Sequence, residues 1–208
     1  MSKDKVLLCF CKHPVPGLVK SRLAKDLGEE QAAEVYKLML EETVKNICST
    51  NMEVFLYCYP DINHPILHAY QNKFNLALKP QLGEDLGMKM HHAIKNHLNN
   101  KTNVVLIGTD CLEIDTDYID EAFEKFNTGV DIVLGPAIDG GYALIGASKI
   151  DKIIFQNISW SSDMVLKQTE EQIRKVDWKY SLLKPVRDLD HLEDYEYFST
   201  HTKYRGLF

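Results

Sequence analysis

The sequence predicts an α/β fold in which a mostly parallel central sheet carries helices on both faces. Short apolar runs rich in β-branched residues alternate with longer segments whose apolar residues recur every three to four positions. This alternation is typical of parallel strands joined by helices. With 208 residues, 45% of them hydrophobic, the chain can bury one full core. No repeat or linker divides it, so we expect a single domain over residues 1–208.

The clearest predicted strand lies directly before Asp110. Residues 104–107 are all apolar and include two valines, as in a strand that is buried on both faces, and Gly108 ends the run. Six other segments share the strand pattern: residues 5–11, 53–59, 76–79, 131–134, 142–145 and 180–183.

Helical periodicity begins at Glu29 and continues to about Ile47, with two glutamates in the favourable first turn. Ser161 or Ser162 is the expected N-cap of a later helix that ends near Arg174. The remaining predicted helices cover residues 65–74, 86–98 and 117–126 and a polar, aromatic segment at the end of the chain.

Charge and composition narrow the function classes. The net charge of −6 argues against a general nucleic-acid binder. Residues 1–25 nevertheless carry six basic residues and one acidic residue, a net charge of +5, which leaves −11 on the remainder. A local basic segment in an acidic chain indicates a small anionic ligand.

No apolar run is long enough to span a bilayer, and no signal segment follows Met1. We therefore expect a cytoplasmic protein. The five cysteines lack the spacing of a zinc ribbon or a redox pair, and Cys9 and Cys11 are expected to be small buried hydrophobes.

Asp110 emerges where the predicted strand at 104–107 leaves the sheet. Ligands of open α/β sheets bind at the carboxyl ends of the strands. A carboxylate there suits Mg²⁺ or Mn²⁺, which prefers oxygen ligands and brings substrate phosphates with it. The alternative is that Asp110 only caps a turn or the next helix.

A basic loop follows the first strand and should lie at the same edge. Gly17 allows the backbone to approach a phosphate, while Lys20 and Arg22 can neutralise it and Lys12 lies at the strand end. The loop matches neither the P-loop nor the dinucleotide-binding turn. A solvated basic loop remains the alternative.

Further acids lie at other predicted strand ends. Asp188 and Asp190 follow the last strand, and Asp139 stands beside Gly140 and Gly141, which leave space for a substrate. One such carboxylate could act as general base. For Asp139 the alternative is a hairpin turn, since Asp-Gly is a strong turn signal.

Two further stretches carry weaker signals. The loop containing Gly83, Asp85 and Gly87 could close over a nucleoside or a phosphate, but the start of a helix explains it nearly as well. Residues 160–163, Trp-Ser-Ser-Asp, could line an acceptor site, but the pattern favours a capped helix behind a core tryptophan.

Several motifs occur in one order and together resemble a known family. They are Lys12-x-Pro-Val-Pro-Gly17-x-Val-Lys20-Ser-Arg22, Gly83-x-Asp85-Leu-Gly87, Gly108-Thr-Asp110, Asp139-Gly-Gly-Tyr142, Trp160-Ser and Asp188-x-Asp190. The sequence is similar, from about residue 6 to 195, to a bacterial family of glycosyltransferase-like proteins linked to arsenosugar biosynthesis. That family is related to nucleotide-diphospho-sugar transferases and to molybdenum-cofactor and 2-phospholactate guanylyltransferases.

The resemblance implies a Rossmann-like fold of the glycosyltransferase A type that holds a nucleotide sugar and a divalent metal. Asp110 matches the metal-binding acid, and Lys20 and Arg22 match the basic pair that meets phosphates. The chain departs from the family pattern at Ser21, Lys89, Cys111-Leu112 and His191.

We therefore expect a transferase dependent on Mg²⁺ or Mn²⁺ that moves a sugar from a nucleoside-diphospho-sugar to a small-molecule acceptor. Asp110, helped by Asp190 or Asp188, would hold the metal, and Asp139 would contact the acceptor or act as base. Lys12 and Gly17 would shape the phosphate pocket, and residues 83–87 would border the nucleoside. A nucleotidyltransferase that uses an NTP and releases pyrophosphate is the alternative, and a non-catalytic nucleotide-binding regulator is the third.

Overall fold

The computed structural model describes residues 4–99 and 102–208. The strands are β1 (Asp4–Lys12), β2 (Glu53–Tyr59), β3 (Ala77–Pro80), β4 (Thr102–Ile107), β5 (Ile132–Pro136), β6 (Tyr142–Ala147) and β7 (Tyr180–Leu182). The helices are α1 (Ala24–Leu27), α2 (Glu29–Cys48), α3 (Pro65–Phe74), α4 (Leu86–His97), α5 (Thr116–Lys125), α6 (Val165–Lys175) and α7 (Leu192–Thr200).

Every predicted strand is present, and the one element that sequence periodicity missed among the strands and α-helices is the short α1. The predicted start of α6 was wrong. The helix begins at Val165 behind Met164, and neither serine caps it. The hydroxyl of Ser162 instead donates to the carbonyl of Ser159 and accepts from the amide of Met164, so it closes a turn before the helix.

The strands form one sheet in the order β3-β2-β1-β4-β6-β5-β7. β6 runs antiparallel to β4 and β5, and the other pairs are parallel. From β1 the chain first builds outward to β2 and β3, and from β4 it builds in the other direction. The strand order therefore reverses between β1 and β4, and ligands of such sheets bind at that point, outside the carboxyl ends.

Alternate residues of β1 supply the cores on the two faces of the sheet. Leu7 and Cys9 pack with Tyr36 of α2 on one face. Val6 and Leu8 pack on the other face, with α4 and α6. The prediction that helices cover both faces is thus confirmed, and Cys9 and Cys11 are buried as expected.

A third apolar cluster fixes the segment after β7. Leu189, in the segment between β7 and α7, and Phe198 of α7 are both fully buried. They pack with Leu23, Met39 and Leu112, which lies in the loop after β4. The loops after β1, β4 and β7 are therefore packed together at the carboxyl edge. Among the described residues, no helix is long and apolar enough to cross a membrane.

Candidate functional site

Two adjoining cavities open at the carboxyl ends of β1 and β4. The inner cavity has a volume of about 240 Å³ and the outer cavity about 350 Å³. Residues shared by both walls are Leu86, Met90, Asp110, Tyr142 and Asp188, so the cavities are parts of one cleft. The cleft lies where the strand order reverses, which is the expected ligand position in this architecture.

Lys20 is a buried cation behind the wall of the cleft: it lines neither cavity, but it contacts two carboxylates that do. Its side chain is 1% exposed, and its ammonium nitrogen lies 2.6 Å from Oδ1 of Asp110 and 3.2 Å from Oδ1 of Asp190. Arg22 reaches the other oxygen of Asp190 at 3.3 Å. The fold thus brings the predicted basic pair, Lys20 and Arg22, next to the predicted acids. Lys20 and Asp190 are 170 residues apart in the sequence.

The backbone of Lys20 is held in an uncommon conformation. Its φ is +50°, in the left-handed region that non-glycine residues rarely adopt. Val19 and Leu23 anchor both sides of the loop in the core with 2% and 0% exposure. Such strain is found where surrounding packing fixes a functional side chain.

The pKa values follow from this arrangement. Burial would lower the pKa of Lys20, but the carboxylates of Asp110 and Asp190 outweigh it and hold the pKa above its ordinary value. Partial removal from water would raise the pKa of Asp110, but the Lys20 ammonium outweighs that effect and the net pKa is lowered. The site therefore holds a charged lysine beside a charged carboxylate at neutral pH.

The side chain of Tyr36, from α2, links the ends of β1 and β4 by hydrogen bonds. Its hydroxyl accepts the backbone N–H of Lys12 at 2.7 Å and shares a 2.8 Å hydrogen bond with the hydroxyl of Thr109. Sequence periodicity places Tyr36 on the core face of α2, which is correct, but gives no signal for its polar end. Buried tyrosine hydroxyls usually find such partners.

Hydrogen bonds attach the segment after β7 to the segment after β4. The amide of Leu189 donates to the carbonyl of Asp110 at 2.9 Å, and the thiol of Cys111 donates to the carbonyl of Arg187. The carboxylate of Asp194 accepts the amide of Asp190. These bonds place both acids of the Asp188-x-Asp190 motif in the walls of the cleft.

Asp188 is an unsatisfied acid in the wall of both cavities. Its Oδ1 is buried and has no hydrogen-bond partner among residues 4–99 and 102–208. Burial raises the pKa of Asp188 to about 8, and the nearby carboxylates of Asp110, Asp139 and Asp190 add to the rise. A buried oxygen without a partner is costly, and a ligand or a cation could satisfy it.

The turn between β5 and β6 contains the predicted Asp139-Gly140-Gly141 element. Asp139 is exposed and accepts the amide of Gly141 at 2.9 Å, so the hairpin interpretation is correct. Asp139 and Gly141 also line the outer cavity, which keeps the functional interpretation open. Gly140 does not line it. A Cβ there would lie 2.2 Å from the carbonyl oxygen of Asp163, so this glycine permits close backbone packing.

Most of the other predicted residues are not in the cavity walls. Asp85 is the N-cap of α4 and accepts the amide of Met88. A Cβ on Gly83 would lie 2.6 Å from the amide of Lys89, and one on Gly87 would lie 2.6 Å from the Trp160 ring. Packing and capping account for all three residues.

In the basic loop, Lys12 lines the inner cavity and Gly17 does not. Gly17 has a φ of +77°, which shapes the loop that presents Lys20. Trp160 packs against the core, as expected of a tryptophan before α6, although no serine caps that helix. Trp160 and Asp163 also line the outer cavity, and an acceptor site there stays a prediction.

The donor set partly fits a divalent cation. No three Asp, Glu, His or Cys side chains converge on one point among the described residues. One or two carboxylates are nevertheless enough for Mg²⁺ when substrate phosphates and water complete the shell. Asp110 is 53% exposed to the cleft and Asp188 has an unpartnered oxygen, whereas Asp190 is already paired with Lys20 and Arg22.

Solved structures share this architecture. A candidate nucleotide-diphospho-sugar transferase from Desulfovibrio desulfuricans G20 matches with a TM-score of 0.86 and 26% identity, over 99% of this chain and 91% of that chain. A cytidylyltransferase from Leptospira borgpetersenii matches with a TM-score of 0.60 and 14% identity, over 94% and 84%. The inositol-1-phosphate CTP transferase from T. maritima matches with a TM-score of 0.55 and 11% identity, over 100% and 95%.

These likenesses confirm the predicted Rossmann-like fold, which glycosyltransferases and nucleotidyltransferases share. No curated protein sequence matches the chain. The link to arsenosugar biosynthesis stays a prediction. A sequence family, described as "Uncharacterized protein conserved in bacteria (DUF2064)", matches residues 43–162, more than half of the chain, and the protein belongs to this family.

Proposed function

We propose that the protein is a transferase that uses a nucleotide-activated donor and moves a sugar from a nucleoside-diphospho-sugar to a small acceptor. The observation that carries the proposal is the position of Lys20 and Arg22. Both cations are held by carboxylates that line the cleft at the reversal point of the sheet. Arg22 lines the outer cavity, and Lys20 lies behind the exposed Asp110. Similarity to the Desulfovibrio protein adds support.

The inner cavity suits the nucleotide part of the donor. Its walls include Phe10, Leu86 and Met90, which offer apolar contact to a base. Gln81 donates from its amide nitrogen to the carbonyls of Cys11 and Tyr57, which leaves the amide oxygen as an acceptor for a base.

The diphosphate would lie between the cations. Lys20 and Arg22 would exchange a carboxylate contact for phosphate oxygens, and Lys12 lines the adjoining inner cavity at the end of β1. Guanidinium and ammonium groups bind phosphate through charge-assisted hydrogen bonds. In the transfer they would stabilise the negative charge that develops on the leaving nucleoside diphosphate.

Asp110 and Asp188 are the residues that would hold Mg²⁺ or Mn²⁺. Asp190, the other predicted ligand, would remain paired with the cations. When bound, the metal supplies positive charge to the diphosphate oxygens. Ionisation of Asp188, which is disfavoured by burial and also by its three acidic neighbours, would become easier next to a cation.

The bond changes of the proposed step are simple. An acceptor hydroxyl oxygen forms a bond to the anomeric carbon, and the bond from that carbon to the phosphate oxygen breaks. The electron pair leaves with the nucleoside diphosphate, and the hydroxyl proton passes to a carboxylate of the outer cavity. Asp139 is our candidate for that base because it is exposed in the wall where an acceptor would bind.

A nucleotidyltransferase is the second candidate. The likeness to two enzymes named for cytidylyl or CTP transfer favours it at the level of fold. In that reaction a phosphate acceptor attacks the α-phosphorus of an NTP, and pyrophosphate leaves. Lys20 and Arg22 would then contact a triphosphate.

Product analysis separates the candidates. The protein would be incubated with Mn²⁺ and either UDP-, GDP- and dTDP-sugars or GTP and CTP, with a pool of sugars, polyols and their phosphate esters. Release of a nucleoside diphosphate and a new glycoside would support the proposal. Pyrophosphate release would support the second candidate, and metal-dependent nucleotide binding without turnover would point to a regulator.

A further inference from the structure

We propose that the outer cavity selects an uncharged, hydroxyl-rich acceptor, such as a sugar or polyol, and rejects a phosphorylated one. This inference rests on the proposed function, because it concerns the molecule that receives the transferred group. It is carried by the charge of the cavity wall, by an aromatic ring in that wall and by two acceptor groups that no side chain satisfies.

The wall of the outer cavity is strongly acidic. Its ionisable residues are Arg22, Asp110, Asp139, Asp163, Asp188 and Asp190, which are five carboxyl groups against one guanidinium. The guanidinium already pairs with Asp190 at 3.3 Å, and the Lys20 ammonium is shared between two of the acids. Asp110 and Asp190 are therefore paired with cations, and Asp110 and Asp188 are the residues that would hold the metal. Asp139 and Asp163 also line the cavity and have no ion-pair partner in residues 4–99 and 102–208. A phosphate dianion next to these two carboxylates would meet uncompensated like charge, which is costly in a partly desolvated cleft.

An aromatic ring gives the cavity a face for a sugar ring. Trp160 is half-buried and lines the outer cavity. The absent side chain of Gly87 lets the indole approach α4 closely, since a Cβ there would lie 2.6 Å from Cζ2. An indole fixed in this way offers apolar contact area, while neighbouring carboxylates accept hydrogen bonds from hydroxyl groups.

Two polar groups in the wall are available to such a ligand. No described residue forms a hydrogen bond with the side chain of Asp163 or of Ser161, and both line the cavity. Close packing holds their segment in place. The amide of Leu166 donates to the carbonyl of Gly140 at 2.9 Å, and Gly140 lies against the backbone of Asp163. The turns that carry Asp139 and Asp163 therefore form one rigid wall.

This inference bears on the choice between the two reactions. A nucleotidyltransferase of the kind considered above needs a phosphate group on the acceptor, and in the outer cavity that group would meet the unpaired carboxylates of Asp139 and Asp163. A glycosyl transfer needs only a hydroxyl group. The acidity of the wall therefore favours glycosyl transfer.

The two tryptophans of the chain provide a direct test. Trp178 packs against the core under Lys149, away from the cleft, so Trp178→Phe leaves Trp160 as the one tryptophan reporter. Its fluorescence would be titrated, with Mn²⁺ and a saturating nucleoside diphosphate, with glycerol, ribose and glucose. The matched probes are glycerol 3-phosphate, ribose 5-phosphate and glucose 6-phosphate.

We expect a saturable change with at least one uncharged compound and at least about tenfold weaker binding of its phosphate ester, which corresponds to about 1.4 kcal/mol. Asp163→Lys should reduce that discrimination, whereas Glu171→Lys, on the exposed side of α6, should preserve it. Tighter binding of a phosphate ester, or no response to any uncharged compound, would overturn the inference.

A separate control keeps the two proposals apart. Nucleoside diphosphate binding would be measured in the same protein by thermal shift, before any acceptor is added. If no nucleotide binds, the proposed function itself is wrong. If a nucleotide binds and phosphate esters are preferred, the proposed donor site stands and the acceptor inference fails.

Discussion

The ammonium nitrogen of Lys20 lies 2.6 Å from Oδ1 of Asp110, although the lysine side chain is 1% exposed and the aspartate side chain 53% exposed. The pair therefore presents a carboxylate to the cleft and keeps its cation behind it. A phosphate that replaced one of the carboxylate contacts of Lys20 would bind a cation already fixed in position, which lowers the ordering cost of binding.

Replacing Lys20 tests this role. Lys20→Met removes a cation that would donate to phosphate, and charge-assisted hydrogen bonds contribute about 1.5–3 kcal/mol each. We expect the affinity for nucleoside diphosphates, measured by calorimetry, to fall by about tenfold to a hundredfold. The exposed Lys25→Met is the matched control. Equal affinities in both variants would contradict the assignment.

The hydroxyl group of Tyr36 is predicted to contribute to the stability of the fold. Tyr36→Phe leaves the amide of Lys12 and the hydroxyl of Thr109 without their buried partner. We expect the free energy of unfolding in urea to fall by about 1–2 kcal/mol. Tyr70→Phe is the control, because no described residue hydrogen-bonds to its hydroxyl. If Tyr36→Phe lowered the free energy of unfolding no more than Tyr70→Phe, the hydrogen bonds of the Tyr36 hydroxyl would not stabilise the fold.

Asp188 should make stability fall as the pH rises. Between the ordinary pKa of 3.8 and the folded value of about 8, the native state holds a proton that the unfolded state has released. The unfolded state is thus favoured increasingly across this window. Asp188→Asn removes the effect.

The expected gain for Asp188→Asn is small near pH 4 and at least about 1.4 kcal/mol at pH 8, the equivalent of one pKa unit. Urea unfolding at several pH values measures it, with the exposed Asp177→Asn as control. A gain or loss that does not change with pH would be inconsistent with a raised pKa.

Alanine substitutions at Gly140 and Gly129 distinguish the cost of backbone strain from the cost of disrupting close packing. Both have positive φ, +91° and +82°, but a Cβ on Gly140 would meet the carbonyl of Asp163 whereas one on Gly129 would meet nothing within 4 Å. We expect Gly129→Ala to cost roughly 1–2 kcal/mol of unfolding free energy from strain alone. Gly140→Ala should cost about 1–3 kcal/mol more from overpacking. Equal thermal unfolding curves would refute the proposed wall contact.

Much of the fold is predictable from sequence because each strand carries its own pattern. The run before Asp110 is apolar enough to indicate a central strand, and Glu29 begins a helix with clear periodicity. The start of α6 is different, since serine propensity indicated a cap, whereas both serines lie before the helix and Ser162 closes a turn there. The capping propensity of serine is overridden there, because Ser162 closes the turn before α6 and the backbone of the neighbouring Asp163 packs against Gly140.

The site is predictable only in part. Lys20, Arg22 and the acids carry charge that the sequence shows, and strand ends indicate where they meet. The sequence does not show that Asp190 pairs with both cations or that Asp188 is left without a partner, and it does not decide whether Trp160 lies in the core or in a cavity wall. Those relations depend on loop packing, above all on the bonds between the segments after β4 and β7.

The most direct test of the central claim is calorimetric titration with UDP, GDP, CDP and dTDP, in Mn²⁺ and in EDTA. We predict that at least one nucleoside diphosphate binds in Mn²⁺ and that EDTA or Asp110→Asn weakens it at least about tenfold. Asp120→Asn, which alters a carboxylate paired with Lys5 at the opposite edge of the sheet, should bind like the wild type. Absence of binding by all four, or binding unchanged by EDTA and by Asp110→Asn, would contradict the assignment of this cleft as a metal-assisted nucleotide site.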